Sequence, residues 1–369
     1  MSAGEITYQI GLTLLEGIGD VLAKNLIAYC GSAEQLFKAR RSHLERIPGI
    51  GPILAEKISS QKDILKRAEE ELKFIDNHGI QALFFTNEKY PRRLRQCHDS
   101  PVMLYYKGNA DLNAEKVVAV VGTRTPTAYG RMQTEKLLAE LAGTGILIVS
   151  GLAYGIDYTA HKCAYDHGMN TVGVMAHGLD RIYPPMHAHL ADCMTRQGGL
   201  LTDFMSGTKP DKENFPERNR IVAGMCDALV VVESKRGGGS LITSTIANSY
   251  NKDVFAFPGR AGDVTSEGCN GLIKSNKAAM IESAADLLYM MNWNESEKKK
   301  PSQQIPLMLD LREDEQMVVD AFQSHEQLHI DELCYVTGYP VSKVSTILLG
   351  LEFSNLVKAL PGKMFKLVR

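Results

Sequence analysis

Six short apolar runs, mostly of β-branched residues, recur in the middle of the chain and limit its possible folds more than any other feature. Helix-length segments separate the runs, which span residues 117–121, 146–149, 171–175, 200–202, 228–232 and 254–257. Runs that are apolar at almost every position are typical of strands buried on both faces, and the intervening helices suit the crossovers of a parallel sheet. Right-handed crossovers then predict a doubly wound α/β fold, whose ligands lie beyond the carboxyl ends of the strands.

The flanking sequences predict two smaller modules. Residues 15–23 and 47–55 resemble each other, and each contains a Gly-x-Gly turn that opens a helix. At the other end, three helical patterns are followed by two short strands about Pro361 and Gly362, which is the plan of a winged helix. We therefore divide the chain into a helical, helix-hairpin-helix or SAM-like domain (1–75), a Rossmann-like domain (76–293), a charged linker (294–306) and a winged-helix domain (307–369).

Composition narrows the class of protein. The seven cysteines are scattered without a Cys-x-x-Cys pair, which favours reduced thiols in a cytosol over disulfides or a zinc site. Residues 1–31 show no leader pattern, and the sequence contains no uninterrupted apolar run long enough for a bilayer, so we expect a cytoplasmic protein without a membrane span. Because the net charge is -2, any nucleic-acid binding must depend on a local cluster of cations.

The loop after the first run is the first candidate for a phosphate site. It reads Gly122-Thr123-Arg124, so an arginine stands where a dinucleotide-binding loop needs its second glycine. The second run ends at Ser150 and Gly151, without the acidic residue that would hold a ribose. Both features argue against a nicotinamide cofactor, and no other cofactor is indicated. The glycines and hydroxyl of residues 150–157 predict a second phosphate-binding loop beside the first.

Later loops add cations and an aromatic ring at the same predicted edge of the sheet. Several phosphate-sized sites with a tyrosine for base stacking suit an extended single strand of nucleic acid better than one small molecule. Two alternatives stay open: Arg218 or Arg220 pairs with Glu217 or Asp227, and Tyr183 serves only to pack its loop. The predicted DNA- or phosphate-binding residues are Gly122, Thr123, Arg124, Ser150, Gly151, Ala153, Arg181, Tyr183, Arg218, Asn219, Arg220, Lys235 and Ser240.

An ordered set of motifs in this region resembles the DNA-processing protein A family, also called Smf. The motifs occupy residues 122–124, 150–161, 178–184, 215–224, 239–243, 258–259 and 268–273. The resemblance implies a cytoplasmic homodimer that binds single-stranded DNA, helps to displace single-strand-binding protein and loads RecA recombinase during natural transformation. It also implies DNA contacts at residues 122–124, at Ser150 and Gly151, and near Arg181 and Arg218.

The sequence departs from the family pattern at two places. Thr123 stands where the family usually has serine, which keeps the hydroxyl. Residues 237–240 read Gly-Gly-Gly-Ser in place of a more usual Ser-Gly-Ser, which leaves the role of that loop open.

An enzyme is the main alternative, because related Rossmann-like proteins release a base from a nucleoside monophosphate. Such phosphoribohydrolases resemble a family with the motif P-G-G-x-G-T-x-x-E, and the comparable residues 258–263 do not match it. No metalloprotease, Walker or nucleophile-elbow motif occurs either, so we expect no catalysis. Neither spacing nor carboxylate partners favour a metal site, and packing or surface roles are expected for the histidines His161, His177, His187 and His189.

The sequences of the two small modules say less about whether these modules bind DNA. The Gly-x-Gly turns can hold DNA phosphates, but the balanced charge of residues 1–73 favours a structural adaptor. Residues 305–369 carry six basic and nine acidic side chains, and the expected recognition helix, 341–352, has a single lysine. A protein contact is therefore favoured over duplex reading for the winged helix, with Lys358, Lys363 and Lys366 of the hairpin as the exception.

Overall fold

A computed structural model describes residues 3–59, 62–293, 311–322, 327–354, 356–360 and 362–367. The chain forms two compact units, Met1–Asn294 and Glu295–Arg369. The predicted linker, 294–306, lies outside the described residues. None of the described helices combines the length and the hydropathy that a membrane-spanning segment requires.

Six helices come first: Ala3–Thr13 (α1), Asp20–Cys30 (α2), Ala33–Lys38 (α3), Arg41–Leu44 (α4), Pro52–Ser59 (α5) and Lys62–His78 (α6). The two similar segments of the sequence form the turns that lead into α2 and α5, as predicted. Gly17 and Gly49 adopt φ values of 83° and 87° in these turns, a region that favours glycine. The apolar core of the helices continues onto the first strands of the sheet through Phe84 and Met103, so helices and sheet form one unit.

A nine-stranded sheet organises the rest of this unit. The strands are Gln81–Phe84 (β1), Met103–Gly108 (β2), Val117–Val121 (β3), Leu147–Ser150 (β4), Thr171–Val174 (β5), Gly198–Thr202 (β6), Ala228–Val231 (β7), Asp253–Ala256 (β8) and Ala279–Met280 (β9). Their order is β1-β2-β6-β5-β4-β3-β7-β8-β9, and all neighbours from β6 to β9 are parallel. The six predicted strands, β3 to β8, are confirmed, with ends that lie within two residues of the predicted ones.

Helices cover both faces of the sheet, as the doubly wound prediction requires. They are Arg92–Arg95 (α7), Ala128–Leu141 (α8), Ile156–Asp166 (α9), Ala188–Arg196 (α10), Asn214–Met225 (α11), Gly239–Ser249 (α12), Glu267–Lys274 (α13) and Ala284–Met290 (α14), with a 3-10 turn at Pro185–His187. The residues of α11, α12 and α13 pack in one core, while those of α8, α9 and α14 pack in another.

The sequence prediction missed β1, β2 and β9. The first two pair antiparallel with each other, and β2 pairs antiparallel with β6, so they extend the sheet outside the repeating strand–helix pattern that revealed the others. The third has only two residues, too few for a periodic signal.

The second unit is a winged helix, as predicted. It contains Glu313–Ala321 (α15), Leu328–His329 (β10), Ile330–Thr337 (α16), Val341–Phe353 (α17), Val357–Leu360 (β11) and Met364–Leu367 (β12). The three strands pair in the order β10-β12-β11. Val318, Leu333, Val344 and Leu348 are buried in its own core, which supports independent folding.

Candidate functional site

The strand order reverses between β3 and β7, and this reversal positions the main cleft. Chains leaving the carboxyl ends of these two strands diverge to opposite faces of the sheet, which opens a crevice where doubly wound proteins bind ligands. The cleft has a volume of about 430 Å³. The predicted site residues that line it are Gly122, Thr123, Arg124, Gly151, Ala153, Arg218, Asn219, Lys235 and Ser240.

The loop after β3 is held rigidly, and Arg124 projects from it. A Cβ on Gly122 would lie 2.5 Å from Cγ1 of Ile156, so only glycine fits there. The backbone N–H of Thr123 donates to the Glu233 carbonyl at 2.7 Å, and its own carbonyl accepts from the Ile156 N–H at 3.1 Å. Arg124 is exposed, with its guanidinium carbon 5.3 Å from the centroid of the Phe215 ring. A fixed loop therefore presents a free cation at the cleft.

A buried carboxylate lies at the start of α8, the part of a doubly wound fold where a dinucleotide binds through its pyrophosphate. Glu233 accepts from both the backbone N–H and the hydroxyl of Thr127, at 2.8 Å each, where Thr127 caps the start of α8. A Cβ on Gly130 would lie 2.4 Å from Oε2 of Glu233. Because a carboxylate already lies against the start of this helix, a pyrophosphate is disfavoured there by like-charge repulsion. The sequence analysis missed Glu233, whose signal is an acidic residue directly after an apolar strand.

The loop after β4, predicted as a second phosphate-binding loop, directs two of its backbone N–H groups to a carboxylate of the chain itself. Oδ2 of Asp157 lies 3.2 Å from the Gly151 nitrogen and 3.4 Å from the Ala153 nitrogen, so the chain's own carboxylate takes these donors. Burial raises the pKa of Asp157, against the opposing effects of the Arg218 charge and the two N–H groups. The sequence did not indicate that the acidic residue of this motif turns back onto its own loop, and phosphate binding by residues 150–157 stays a prediction.

Arg218 forms the floor of the cleft. Its side chain is buried, and Nη1 donates to the carbonyls of Gly151, at 2.7 Å, and Val174. A Cβ on Gly151 would lie 2.1 Å from Nη1, so this glycine makes room for the guanidinium. Within the described residues, Nε is buried without a hydrogen-bond partner. Burial lowers the pKa of Arg218, the Asp157 carboxylate opposes this shift, and the positive charge of Arg124 acts in the same direction as burial.

Three other predicted residues make contacts within the chain, two of them buried or largely buried and one at the surface. Arg220 pairs with Asp20 of α2 and with Asp203, at 3.0 Å each, and its side chain is 19% exposed. The Ser150 hydroxyl is buried and donates to the Val120 carbonyl at 2.6 Å. Arg181 pairs with its neighbour Asp180 at 2.6 Å.

The alternative ion pairs of Arg218 or Arg220 with Glu217 or Asp227 are not formed among the described residues. Asp227 pairs with Arg93 at 2.6 Å, not with Arg218 or Arg220. The residues that do pair with Arg220 lie 200 and 17 positions away in the sequence, outside the local segment of α11.

Tyr183 lies beside the cleft, where a smaller pocket of about 30 Å³ opens between aromatic rings. The residue is 41% exposed, and its ring meets the Phe215 ring edge-on, with 6.2 Å between centroids. His177 also lines this pocket; its Nδ1 lies 2.9 Å from the Gly178 carbonyl, and its Nε2 is buried without a partner among the described residues. Tyr183 therefore both packs its loop and offers a free face.

The far wall of the cleft is the start of α12. This helix begins after Gly238 without a side-chain cap, and the Ser240 hydroxyl donates to the Ser234 hydroxyl at 2.8 Å. Lys235 is exposed on the preceding loop. Cations thus flank the cleft on two sides, from Arg124 and Lys235.

The histidines have structural contacts. His161 lies 2.7 Å from the Thr171 hydroxyl, and burial lowers the pKa of His161 to about 3. His187 lies 3.0 Å from the Leu152 carbonyl and stacks near Tyr158. Across the described ranges, no three His, Cys, Asp or Glu side chains are arranged to hold a metal ion.

Comparison with known proteins identifies the family to which the chain belongs. Residues 81–292, more than half of the chain, match the family model described as DNA recombination-mediator protein A. The chain belongs to this family. Residues 300–363 match the DprA winged helix domain, and residues 10–61 match the SAM-like helix-hairpin-helix tandem. The resemblance noted in the sequence is therefore confirmed.

Individual relatives cover most of the chain. Protein Smf of Synechocystis is 32% identical over 99% of this chain and 100% of its own length. DNA processing protein DprA of Streptococcus pneumoniae is 42% identical over 54% of this chain and 70% of its own length.

Two solved structures are also similar. The crystal structure of the Streptococcus pneumoniae protein has a TM-score of 0.68 at 32% identity, covering 77% of this chain and 97% of that chain. A structure of DNA processing protein A from Helicobacter pylori, described as showing a unique single-stranded DNA binding mode, has a TM-score of 0.53 at 29% identity. It covers 58% of this chain and 95% of its own.

Proposed function

We propose that this protein binds single-stranded DNA in the cleft between β3 and β7. The observation that carries the proposal is the pair of guanidinium groups on that cleft, Arg124 exposed above and Arg218 buried below. Asp157 offsets part of the Arg218 charge, but Arg124 has no ion pair among the described residues, and Nε of Arg218 has no hydrogen-bond partner there. Two cations that line one cleft in this way favour a bound phosphate. The Helicobacter pylori relative, described by its single-stranded DNA binding mode, supports the same ligand.

A single strand of DNA fits this cleft better than a nucleotide cofactor does. Glu233 and Asp157 occupy the backbone donors that a pyrophosphate would use, so side chains hold the phosphates instead. The free face of Tyr183 offers a stacking surface beside them, and Lys235 extends the positive charge beyond the cleft. Binding through side-chain cations and one aromatic face requires no catalytic group, and we infer that the protein is not an enzyme.

Membership of the recombination-mediator family supports a proposal for the role of the protein in the cell. We infer that the protein acts in the bacterial cytoplasm as a homodimer, displaces single-strand-binding protein and loads RecA recombinase during natural transformation. RecA filament assembly on DNA coated with single-strand-binding protein, measured with and without this protein, tests this role. Assembly at the same rate in both reactions would contradict it.

Binding of labelled oligo-dT tests the proposal directly. Displacing counterions from a few phosphates makes log K fall with log salt at roughly -0.7 per phosphate, so two or three contacts predict about 7- to 18-fold weaker binding between about 50 and 200 mM salt. Fluorescence anisotropy measures the change, with NAD and AMP as competitors. Salt-independent binding, or competition by a mononucleotide as effective as unlabelled oligo-dT, would contradict a strand-binding cleft.

The winged helix is expected to contribute little to this affinity. Lys343, the lysine of α17, lies 3.7 Å from an Asp314 oxygen and 3.9 Å from the centroid of the Tyr339 ring, so its charge is already engaged. A chain ending near Ser296, a position outside the described residues, should retain oligo-dT affinity within about a factor of ten, or 1.4 kcal/mol. Anisotropy and a melting curve on the same sample measure this. A hundredfold loss in a folded, dimeric sample would show that the winged helix contacts DNA.

A further inference from the structure

Tyr154 is an exposed aromatic residue beside the cleft, and it is not among the residues that the sequence predicts for the site. It follows Ala153, which lines the cleft, and it lines the smaller pocket together with Tyr183. Both tyrosines are 41% exposed. A single exposed tyrosine is common on a protein surface, whereas the way in which the loop around Tyr154 is held is not.

The backbone on either side of Tyr154 has a conformation that residues with a side chain rarely adopt. Leu152 has a φ of 52°, in the left-handed region, and its side chain is fully buried. Gly155 has a φ of 79°, and a Cβ there would lie 2.2 Å from the Thr123 carbonyl oxygen. A left-handed residue such as Leu152 costs about 1–3 kcal/mol and persists where the surrounding structure enforces it, which is most often at a binding site. The fold therefore fixes the position of Tyr154.

His187 supports both this loop and the ring of Tyr154. Its side chain is buried, and its Nδ1 donates to the Leu152 carbonyl at 3.0 Å. Its ring is nearly perpendicular to the Tyr154 ring, with 5.4 Å between the centroids and 70° between the planes. The Tyr158 ring packs against the same imidazole, with 4.4 Å between the centroids. Because such T-shaped contacts are favourable, the Tyr154 ring is held by its neighbour while much of its surface stays open.

The surroundings of the Tyr154 ring indicate which ligand it can bind. The adjoining pocket has a volume of about 30 Å³, room for little more than a water molecule, so a base cannot enter it and would lie across the exposed rings. Arg124 lines the same pocket, which places a cation beside the aromatic surface. A cation that holds a phosphate next to a ring that stacks on a base is the combination found in sites for single-stranded nucleic acid.

We propose that Tyr154 is a second base-stacking residue of the site, so that bases stack on two tyrosine rings and not on Tyr183 alone. This inference rests on the proposed function of the cleft. Every base has a π face, so stacking on Tyr154 adds affinity without reading the sequence. Stacking involves no net charge, so this part of the affinity is not screened by salt, unlike the contribution of Arg124.

The test measures binding of labelled oligo-dT to the full chain carrying Tyr154→Ala. The affinity should fall by about 5- to 140-fold, which is 1–3 kcal/mol per stacked base converted at 1.4 kcal/mol per factor of ten. The slope of log K against log salt should stay that of the wild type, because no phosphate contact is lost. Tyr154→Phe keeps the ring and should bind nearly as the wild type does. The matched control, Tyr335→Ala, removes a 92% exposed tyrosine of the winged helix and should also bind normally.

A strand of the same length that lacks its bases separates stacking from a structural effect. Tyr154→Ala should bind this abasic strand as well as the wild type does, because only phosphate contacts remain. An equal loss on both strands, a shallower salt slope, or wild-type affinity for oligo-dT would overturn the inference. A melting curve on each variant checks that the protein is folded.

The outcomes also separate this inference from the proposed function. Wild-type binding that does not depend on salt, or normal binding by Arg124→Ala, would reject the cleft and the stacking role with it. A loss of affinity in Arg124→Ala with a shallower salt slope, together with wild-type binding by Tyr154→Ala, would reject only the role of Tyr154.

Discussion

Replacing Arg124 with alanine is expected to weaken oligo-dT binding by roughly 10- to 150-fold, about 1.5–3 kcal/mol, the scale of a hydrogen bond to a charged group. The side chain is exposed and rests on the Phe215 ring, while the loop beneath it is held by backbone contacts of Thr123. The substitution should therefore remove a phosphate contact without disturbing the fold. Anisotropy gives the affinity, and thermal unfolding gives the stability.

Two further variants make this result specific. Arg124→Lys keeps the charge but loses the planar fork, so we expect an intermediate affinity. Arg131→Ala removes an exposed cation of α8 that does not line the cleft, and it should bind nearly as the wild type does. If Arg124→Ala unfolds normally and binds DNA like the wild type, the loop is structural and the cleft is not the site.

Replacing Arg220 with methionine is expected to lower the free energy of unfolding by about 3–5 kcal/mol, because it leaves two carboxylates without their cation. Asp203 and Asp20 each lie 3.0 Å from this guanidinium, and the Asp203 side chain is 10% exposed. The Asp99 carbonyl also accepts from it, so Arg220 fastens α2 and the end of β6 to α11. Urea unfolding monitored by circular dichroism measures the loss.

The control for this prediction is Arg181→Met, which breaks a more exposed ion pair with Asp180 and should cost less than about 1 kcal/mol. A variant Arg220→Met that unfolds like the wild type but loses DNA affinity would restore the sequence-based assignment of Arg220 as a DNA contact. A variant that loses stability while its folded fraction still binds oligo-dT would establish the structural role.

The sheet and the position of the cleft could be predicted because their signals are local. Apolar runs such as 117–121 and 228–232 mark buried strands by themselves, since the hydrophobic effect acts on each run regardless of its partner. Parallel strands then place the loops at Gly122, Gly151 and Lys235 along one edge. The antiparallel strands β1 and β2 were missed, because their pairing depends on partners and not on a repeating pattern.

The partners of the polar side chains could not be predicted. The chain itself determined that cations and glycines would gather at the carboxyl edge of a doubly wound sheet. The tertiary structure decided that Asp157 and Glu233 fill the backbone donors, that Arg218 turns under Gly151, and that Arg220 pairs with Asp20, 200 positions away. The physical reason is range: backbone conformation and hydrophobic periodicity are set by neighbouring residues, whereas a hydrogen bond or an ion pair depends on distance in the folded chain.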